Sequence, residues 1–512
     1  MNTYYFTEDH ELFRQSFRAF LEKEAVPFID QWEEDRRTPR EIWKKMGDMG
    51  FLGLSYPEEY GGSGLDFFYD VVFNEELGRC NSGGFAITQQ VVQYMSGPYI
   101  LKFGSEKLKQ KYLPGIISGD LISSIGITEP GAGSDAQNIQ TKAIREGDHY
   151  IVNGAKTFIT NAVYGDFIVT VVKTDPAAGA AGVSLLVIDQ DAEGISRRKL
   201  KKLGWHCSDT AELHFDNVKV PVENLIGEEG RGFYYLMNGL QLERLCAVPA
   251  AVSGMEKAIE VSIQYMTERQ AFGRPISKFQ VLRHRIAQLA AEVESLKAFS
   301  YLCCKMFDDG QYDVKLCSMA KLLATELCEK VATQCLQFFG GYGFMESYPM
   351  ARMYRDVRVG TIGGGSSEIM REILAKIIID DVGYQSAGKG NGQPSKILKA
   401  ASGAEKGSAT ATIEPSFDNL LAIMQKQAAK ASPLGKTLQF NLEGQSIALD
   451  GRGEVNKVVA ESIDADCTVD VSMQDLSALI SGKLNPMSAF MSGKIKVDGD
   501  MGVAMKLQEL FS

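Results

Sequence analysis

The residues that first invite chemistry by type and spacing are Gly126-Ile127-Thr128-Glu129-Pro130-Gly131-Ala132-Gly133-Ser134-Asp135. Their Gly131-x-Gly133-x-x-Ala136 core has the outline of a phosphate-binding glycine turn. A dinucleotide fingerprint needs a helix opening on the glycines, so that its N-terminus meets a pyrophosphate, and an acid about 20 residues further on. Here Pro130 precedes the glycines and no helical period follows them. Thr141-Lys142-Ala143-Ile144-Arg145, a Glu-Gly-Asp turn and Tyr150-Ile151-Val152-Asn153-Gly154 read instead as a β-hairpin. The glycines therefore lie in a loop between strands, where bare N–H groups and the Thr128 and Ser134 hydroxyls can approach a cofactor. His206-Cys207 is a weaker lead. With five scattered histidines and no ligand spacing, it reads as packing rather than as a metal or nucleophile pair.

The elements that must position this loop follow from periodicity. From Asp9 to about Gly119 apolar residues recur at helical spacing, as in Leu12, Phe13, Phe17, Phe20 and Leu21. From Leu121 to about Val222 the pattern shortens to strands such as Phe167–Val172 and Val183–Ile188, and from Phe233 to about Ile379 helical periodicity returns. An α, β, α order disfavours a doubly wound parallel sheet. Residues 385–412 hold no aromatic and are rich in Gly, Ala, Ser and Lys, so they read as a linker, with a coil span of about 30 Å. The rest predicts a separate α+β module of about 100 residues, with a helix over Phe417–Lys430, strands at Leu438–Leu442, Ser446–Leu449, Cys467–Val471 and Lys494–Val497, and a terminal helix from Gly502.

Bulk properties narrow the function classes. A chain of 512 residues exceeds what one core supports, so several domains are expected. A net charge of −11 argues against a general nucleic-acid binder, which needs basic surface to neutralise phosphates. Nine cysteines without C-x-x-C spacing fit a reducing compartment. Met1 to Gln15 shows no signal peptide, Leu510-Phe511-Ser512 is no recognisable peroxisomal address, and no apolar run is long enough to span a membrane. A cytoplasmic location is the expectation.

The decapeptide resembles the first signature of the acyl-CoA dehydrogenases. Gln337-Phe338-Phe339-Gly340-Gly341-Tyr342-Gly343-Phe344, continuing through Arg352 to Arg355-Asp356, resembles the second, and Glu268-Arg269-Gln270-Ala271-Phe272-Gly273 with Gln280 completes the pattern. The similarity covers roughly residues 5–382; Asn138 and Ser347 depart from the usual residues at positions that carry no chemistry. Ser481-Gly482-Lys483-Leu484-Asn485-Pro486, Ala489–Lys494 and Gly499–Leu507 resemble a sterol carrier protein 2 domain, which encloses an apolar tunnel for acyl chains or sterols. Met487, Met491, Met501 and Met505 suit either that tunnel or an ordinary core. The resemblance implies an N-terminal helical domain (1–120), a central β-barrel-like domain (121–232), a C-terminal four-helix bundle (233–384), a linker (385–412) and an α+β lipid-binding domain (413–512).

It also implies a chemistry. Removing hydrogen across an α,β bond of an acyl thioester needs a carboxylate for the α proton, donors for the developing enolate oxygen, and FAD to accept the β hydride at N5. Many family members carry the base in the loop after the second signature, where this chain reads Thr361-Ile362-Gly363-Gly364-Gly365-Ser366-Ser367-Glu368 and places Gly364 at that position. Glu368 matches a flavin-contacting position instead. The long-chain and isovaleryl subgroups carry the base before an arginine on an earlier helix, here Gln241-Leu242-Glu243-Arg244-Leu245, so Glu243 is the expected base and its carboxylate is expected to use the volume that Gly364 vacates. Burial should raise its pKa.

By the same resemblance Thr128, Ser134, Phe158 and Thr160 line the isoalloxazine. Arg269, Phe272, Gln280, Gln337, Gly340 and Gly341 meet the adenine and pyrophosphate end, some across a subunit boundary, and Ser366 and Glu368 also contact the flavin. Ser134, Tyr234, Arg244, Gly364 and Gly365 contact substrate, with the Gly364 N–H on the thioester oxygen. The implied partners are an acyl-CoA, a lipid in the last domain, an electron-transferring flavoprotein as acceptor, and further copies of the chain as a homodimer or homotetramer. Two rival readings are an acyl-CoA oxidase, which passes electrons to oxygen, and a lipid-binding or lipid-transfer protein whose dehydrogenase half is a vestigial scaffold.

Overall fold

The computed structural model describes residues 4–311, 313–380, 382, 417–428, 433–442, 444–453, 455–480 and 495–499. Its chain forms two compact units, Met1–Ala404 and Glu405–Ser512. The expected linker 385–412, the lipid-domain motifs within 481–494 and 500–507, their methionines and the terminal helix from Gly502 lie outside the described residues.

The first unit opens with seven helices: α1 (Glu8–Glu24), α2 (Ile29–Asp35), α3 (Arg40–Asp48), α4 (Phe67–Gly78), α5 (Gly83–Gln90), α6 (Gly97–Phe103) and α7 (Glu106–Ile117). Side-chain caps start several of them: Thr7 accepts from the His10 N–H, Ser82 from Phe85 and Ser105 from Leu108. A π-helical turn at Val91–Ser96 joins α5 to α6. The aromatic run read from the sequence is a packed core, with Phe17 stacked on Phe73 at 4.8 Å and tilted against Phe51 at 4.9 Å.

Seven strands follow: β1 (Ser123–Gly126), β2 (Lys142–Glu146), β3 (His149–Thr160), β4 (Phe167–Lys173), β5 (Val183–Asp189), β6 (Ile195–Lys199) and β7 (Thr210–Pro221). They pair in the order β1-β4-β2-β3-β7-β6, with β5 beside β4. The β2–β3 hairpin expected from the sequence is present, Lys142 opposite Asn153 and Glu146 opposite His149. The β3–β7 ladder slips between Lys156, opposite Leu213, and Ile159, opposite Ala211. Thr157 and Phe158 thus share one partner position, and the bulge re-aims the Phe158 side chain.

The unit closes with long helices: α8 (Gly232–Glu268), a short hairpin of β8 (Gln270–Ala271) and β9 (Arg274–Pro275), then α9 (Gln280–Asp308), α10 (Val314–Phe338), α11 (Pro349–Val357) and α12 (Ser367–Ile378). Residues of α8, α9 and α10, among them Leu245, Val252, Leu289, Leu296, Ala320 and Val331, enter one core with the first helices. All nine cysteines are buried, as core filler.

The second unit has its own core, including Leu420, Phe440, Leu449, Val469 and Leu476. Helix α13 (Phe417–Ala428) precedes β10 (Thr437–Leu442), β11 (Gln445–Asp450), β12 (Lys457–Val459), β13 (Cys467–Val471), α14 (Met473–Ile480) and β14 (Ile495–Gly499). The sheet order is β12-β11-β10-β13-β14. Strand β12, three residues long, is too short to announce itself by alternation.

Candidate active site

Glu243 lies within α8, where the sequence is apolar nearly all round the helix, and it is buried with its neighbours Arg244, Leu245 and Cys246. The Tyr99 hydroxyl from α6 donates to Glu243 Oε1 at 2.8 Å. Gly239, one turn earlier on α8, makes room for this crossing, since a Cβ there would lie 2.2 Å from the Tyr99 oxygen. Burial pushes the Glu243 carboxyl up to about 7, against the Tyr99 hydrogen bond and the Arg244 charge, which both favour the carboxylate. Tyr99, itself buried beside that carboxyl, is held far above its ordinary pKa and stays a donor. Glu368 differs on every count: it sits exposed in the first turn of α12, and its carboxyl is held below the ordinary range by backbone and Ser366 hydrogen bonds. Of the two acids, Glu243 is the buried one with its carboxyl raised toward neutral pH, and Glu368 is the exposed one held low.

Facing them is the loop between the 3-10 turn Arg358–Thr361 and α12. Gly364 and Gly365 have φ of +64 and +97, conformations that side chains rarely adopt. Arg244 Nε donates to the Gly364 carbonyl at 3.2 Å, so the residue after the candidate base holds the loop. A Cβ at Gly364 would meet nothing within 4 Å. The Glu243 carboxyl is held by the Tyr99 hydroxyl, and no side chain crowds the Gly364 position. Ser366 caps α12, its hydroxyl accepting from the Ile369 N–H at 3.3 Å, while Tyr234 is half-buried on the first turn of α8 with Arg231 over its ring at 5.0 Å.

The residues expected around the isoalloxazine gather at the signature loop and the bulge of β3. Glu129 and Ala132 exchange backbone hydrogen bonds of 2.9 and 3.1 Å, which tightens Pro130-Gly131 into a turn. The Thr157 N–H donates to the Thr128 carbonyl at 2.9 Å, tying the loop to β3 next to Phe158. Phe158 has φ +62 and is 70% exposed, an aromatic face held out of the core. Ser134 is exposed and Thr128 and Thr160 are half-buried. At the other expected end, Arg269 lies over the Tyr342 ring at 5.7 Å, and the Tyr265 ring stacks on Phe339 at 4.1 Å, which brings the β8–β9 hairpin against the end of α10. Arg269, Phe272, Gln280, Gln337, Gly340 and Gly341 are all exposed there, Phe272 at 94%. Cβ atoms at Gly131, Gly133, Gly340 or Gly341 would meet nothing within 4 Å, so each glycine leaves a bare approach for a large ligand. Loop, bulge and hairpin therefore fit an extended cofactor with an aromatic ring system and phosphates.

Residues 7–120, 124–218 and 230–379 match the N-terminal, middle and C-terminal domains of acyl-CoA dehydrogenase. The chain is 38% identical over 381 residues to the long-chain specific acyl-CoA dehydrogenase of Rattus norvegicus mitochondria, a match spanning 73% of this chain and 88% of that one.

The chain belongs to the acyl-CoA dehydrogenase family.

The solved acyl-CoA dehydrogenase from Geobacillus kaustophilus is 46% identical, with a TM-score of 0.71 over 73% of this chain and 99% of its own. The acyl-CoA dehydrogenase of Bacillus anthracis, solved with FAD, is 31% identical, with a TM-score of 0.69 over 74% and 71% of the two chains. Residues 417–512 match the SCP-2 sterol transfer family. This acyl-CoA dehydrogenase therefore carries a sterol-carrier-type domain behind its catalytic fold. Among the described residues no helix is long and apolar enough to cross a membrane.

Three further residues shape the site of this acyl-CoA dehydrogenase and were missed in the sequence. Tyr99 was signalled, at most, by Gly239, a mid-helix glycine that is unfavourable by about 1 kcal/mol without a packing reason. Lys156 of β3 is fully buried and donates to Glu129 Oε1 at 2.7 Å and to the Ile127 carbonyl at 3.2 Å, while the Gln140 and Thr141 N–H groups donate to the two Glu129 oxygens. This buried pair staples the signature loop from beneath. A lysine at an inward position of an alternating strand was its signal. The third residue, Lys321, is buried on α10 and touches the Gly363–Gly365 loop.

Proposed function

We propose that the chain removes hydrogen across the α,β bond of an acyl-CoA thioester to give the trans-2-enoyl-CoA, with Glu243 as the base. FAD-dependent acyl-CoA dehydrogenation is the chemistry of the family to which the chain belongs. The observation that carries the assignment is the buried Glu243 carboxyl, poised near pH 7 and held by Tyr99 on the same stretch of helix from which Arg244 reaches Gly364.

FAD, when bound, would supply the two-electron acceptor for the β hydride. The protein supplies the rest. Glu243 takes the α proton as the α C–H bond breaks, and the electron pair moves toward the thioester carbonyl. The Gly364 N–H receives that carbonyl oxygen; the left-handed glycines keep side chains out of the approach. Ser134, Tyr234 and Gly365 flank the acyl-CoA. Thr128, Phe158 and Thr160 would hold the flavin ring, and Arg269, Phe272, Gln280, Gln337, Gly340 and Gly341 its adenine and pyrophosphate end, with Ser366 and Glu368 as further flavin contacts. Their exposure on a single chain supports a homodimer or homotetramer in which a second copy covers them.

The electron acceptor is an electron-transferring flavoprotein, and the SCP-2 domain binds the acyl chain or a lipid. An anaerobic screen over an acyl-CoA panel tests the activity: the yellow protein bleaches with at least one member, and enoyl-CoA forms in equal amount. Reoxidation then tests the acceptor, since faster recovery with oxygen than with electron-transferring flavoprotein makes the protein an oxidase. No bleaching with any member would leave a flavin-free or vestigial scaffold.

A further inference from the structure

Lys321 stands on α10 among small and apolar neighbours, Cys317, Ser318, Ala320 and Ala324, and is 4% exposed. A lysine this deep ordinarily meets a carboxylate, because an unpaired buried charge is costly. Lys321 instead donates to two carbonyls, Gly360 at 2.8 Å and Gly365 at 2.6 Å. These flank Thr361–Gly364, so one ammonium closes that segment at its neck.

The two halves of the loop are restrained differently. In the first half, the Ile362 and Gly363 N–H groups both reach the Val359 carbonyl, at 3.0 and 2.8 Å. From Gly364 onward the chain runs through two left-handed glycines, the residue type with the most conformations to lose. There the restraints are cationic, Arg244 on the Gly364 carbonyl and Lys321 on the Gly365 carbonyl. Charge-assisted hydrogen bonds are shorter and stronger than neutral ones, which suits holding a flexible turn in one orientation.

We propose that Lys321 is a positioning residue for dehydrogenation, tying the Gly360 and Gly365 carbonyls together so that the Gly364 N–H stays aimed at the thioester oxygen. The proposal rests on the reading of Glu243 as base and Gly364 as oxyanion donor. The arrangement is unfavourable for the lysine itself. Burial and then the nearby Arg244 charge lower its pKa to about 8, with Glu326 of its own helix and Glu368 of α12 opposing weakly. A charge kept under those conditions without a carboxylate partner marks a function in the loop rather than in bundle packing.

The test uses the full-length flavoprotein and a 3-thia-acyl-CoA, whose α proton is acidic and whose β sulfur has no hydride to lose. Its enolate beside oxidised flavin gives a long-wavelength absorption band, and the pH midpoint of that band measures how well the site stabilises the oxyanion. In Lys321→Met the midpoint rises by about one unit or more, a tenfold loss of stabilisation, while ligand affinity stays within about threefold and flavin content is unchanged. Lys321→Gln, which keeps an N–H donor and removes the charge, is measured beside it so that misfolding of the methionine variant does not decide the matter; it too shifts the midpoint upward. Lys321→Arg recovers most of the shift. Wild-type midpoints in folded Met and Gln variants would overturn the proposal. Glu243→Gln separates it from its premise: if that variant enolises the ligand as readily as the wild type, the base assignment falls, whereas an inert Glu243→Gln beside unmoved Lys321 variants sinks the Lys321 proposal alone.

Discussion

Glu243 titrates near 7 because burial outweighs two groups that favour its charge, and each contribution has a separable consequence. As a base it must be ionised, so the rate of flavin reduction rises with pH through a midpoint near 7. Tyr99→Phe removes a hydrogen bond that stabilises the carboxylate, so the midpoint moves up by about half to one unit in the pH profile of kcat/KM. Stability runs the other way. The folded value of about 7 lies above the ordinary 4.5, so the contribution of this acid to stability is full below 4.5 and is lost as pH rises through about 7. Glu243→Gln does not titrate, so its Tm advantage over the wild type grows across that window; a gap independent of pH contradicts the burial argument. At this scale the family resemblance pointed to Glu243 through a local pattern, a glutamate before Arg244, and the residue is buried with a raised carboxyl. It did not show Tyr99 or Lys321, whose partners lie 144 and 44 residues away in the chain.

The signature loop is positioned by a strand rather than by its own glycines. Lys156 fills the space under the loop, and its partner Glu129 accepts from two further backbone N–H groups. Burial pushes the Glu129 carboxyl up, yet the Lys156 charge and these hydrogen bonds outweigh it and hold the group below its ordinary range. Lys156→Met leaves that carboxylate buried and unpaired, so it destabilises by about 3–5 kcal/mol in chemical denaturation and weakens flavin retention. A loss below about 1 kcal/mol would mean that the pair is not a staple. On α8, Gly239→Ala sets a methyl 2.2 Å from the Tyr99 oxygen, so Tyr99 must leave Glu243 and the pH midpoint rises as in Tyr99→Phe. The β2–β3 hairpin and the long helices were legible because period 2 and period 3.6 are local properties. The bulge that exposes Phe158 was not, because it is a mismatch between β3 and β7 that neither strand contains alone.

Two units with separate cores predict two kinds of loss when the chain is cut. Removing residues beyond 384 leaves kcat for short acyl-CoA unchanged and raises KM for long, poorly soluble ones, because covalent linkage raises the effective concentration at which a lipid carried by the second unit is offered to the catalytic fold. Unchanged kinetics on both would separate the two activities. The chain divides into Met1–Ala404 and Glu405–Ser512, and residues 417–512 match the SCP-2 family, a module that the sequence motifs announced by resemblance. The proposed assembly rests on cofactor-end residues that a lone chain leaves exposed, such as Phe272 and Arg269. The central claim, that this molecule uses Glu243 for proton removal and not a carboxylate at the position that Gly364 occupies, has one direct test. Full-length wild type and Glu243→Gln, both shown to hold FAD, are mixed anaerobically with a long-chain acyl-CoA and followed by the bleaching of the flavin. The wild type bleaches and the variant is slower by about a thousandfold or more; a variant that binds flavin and bleaches at the wild-type rate contradicts the assignment.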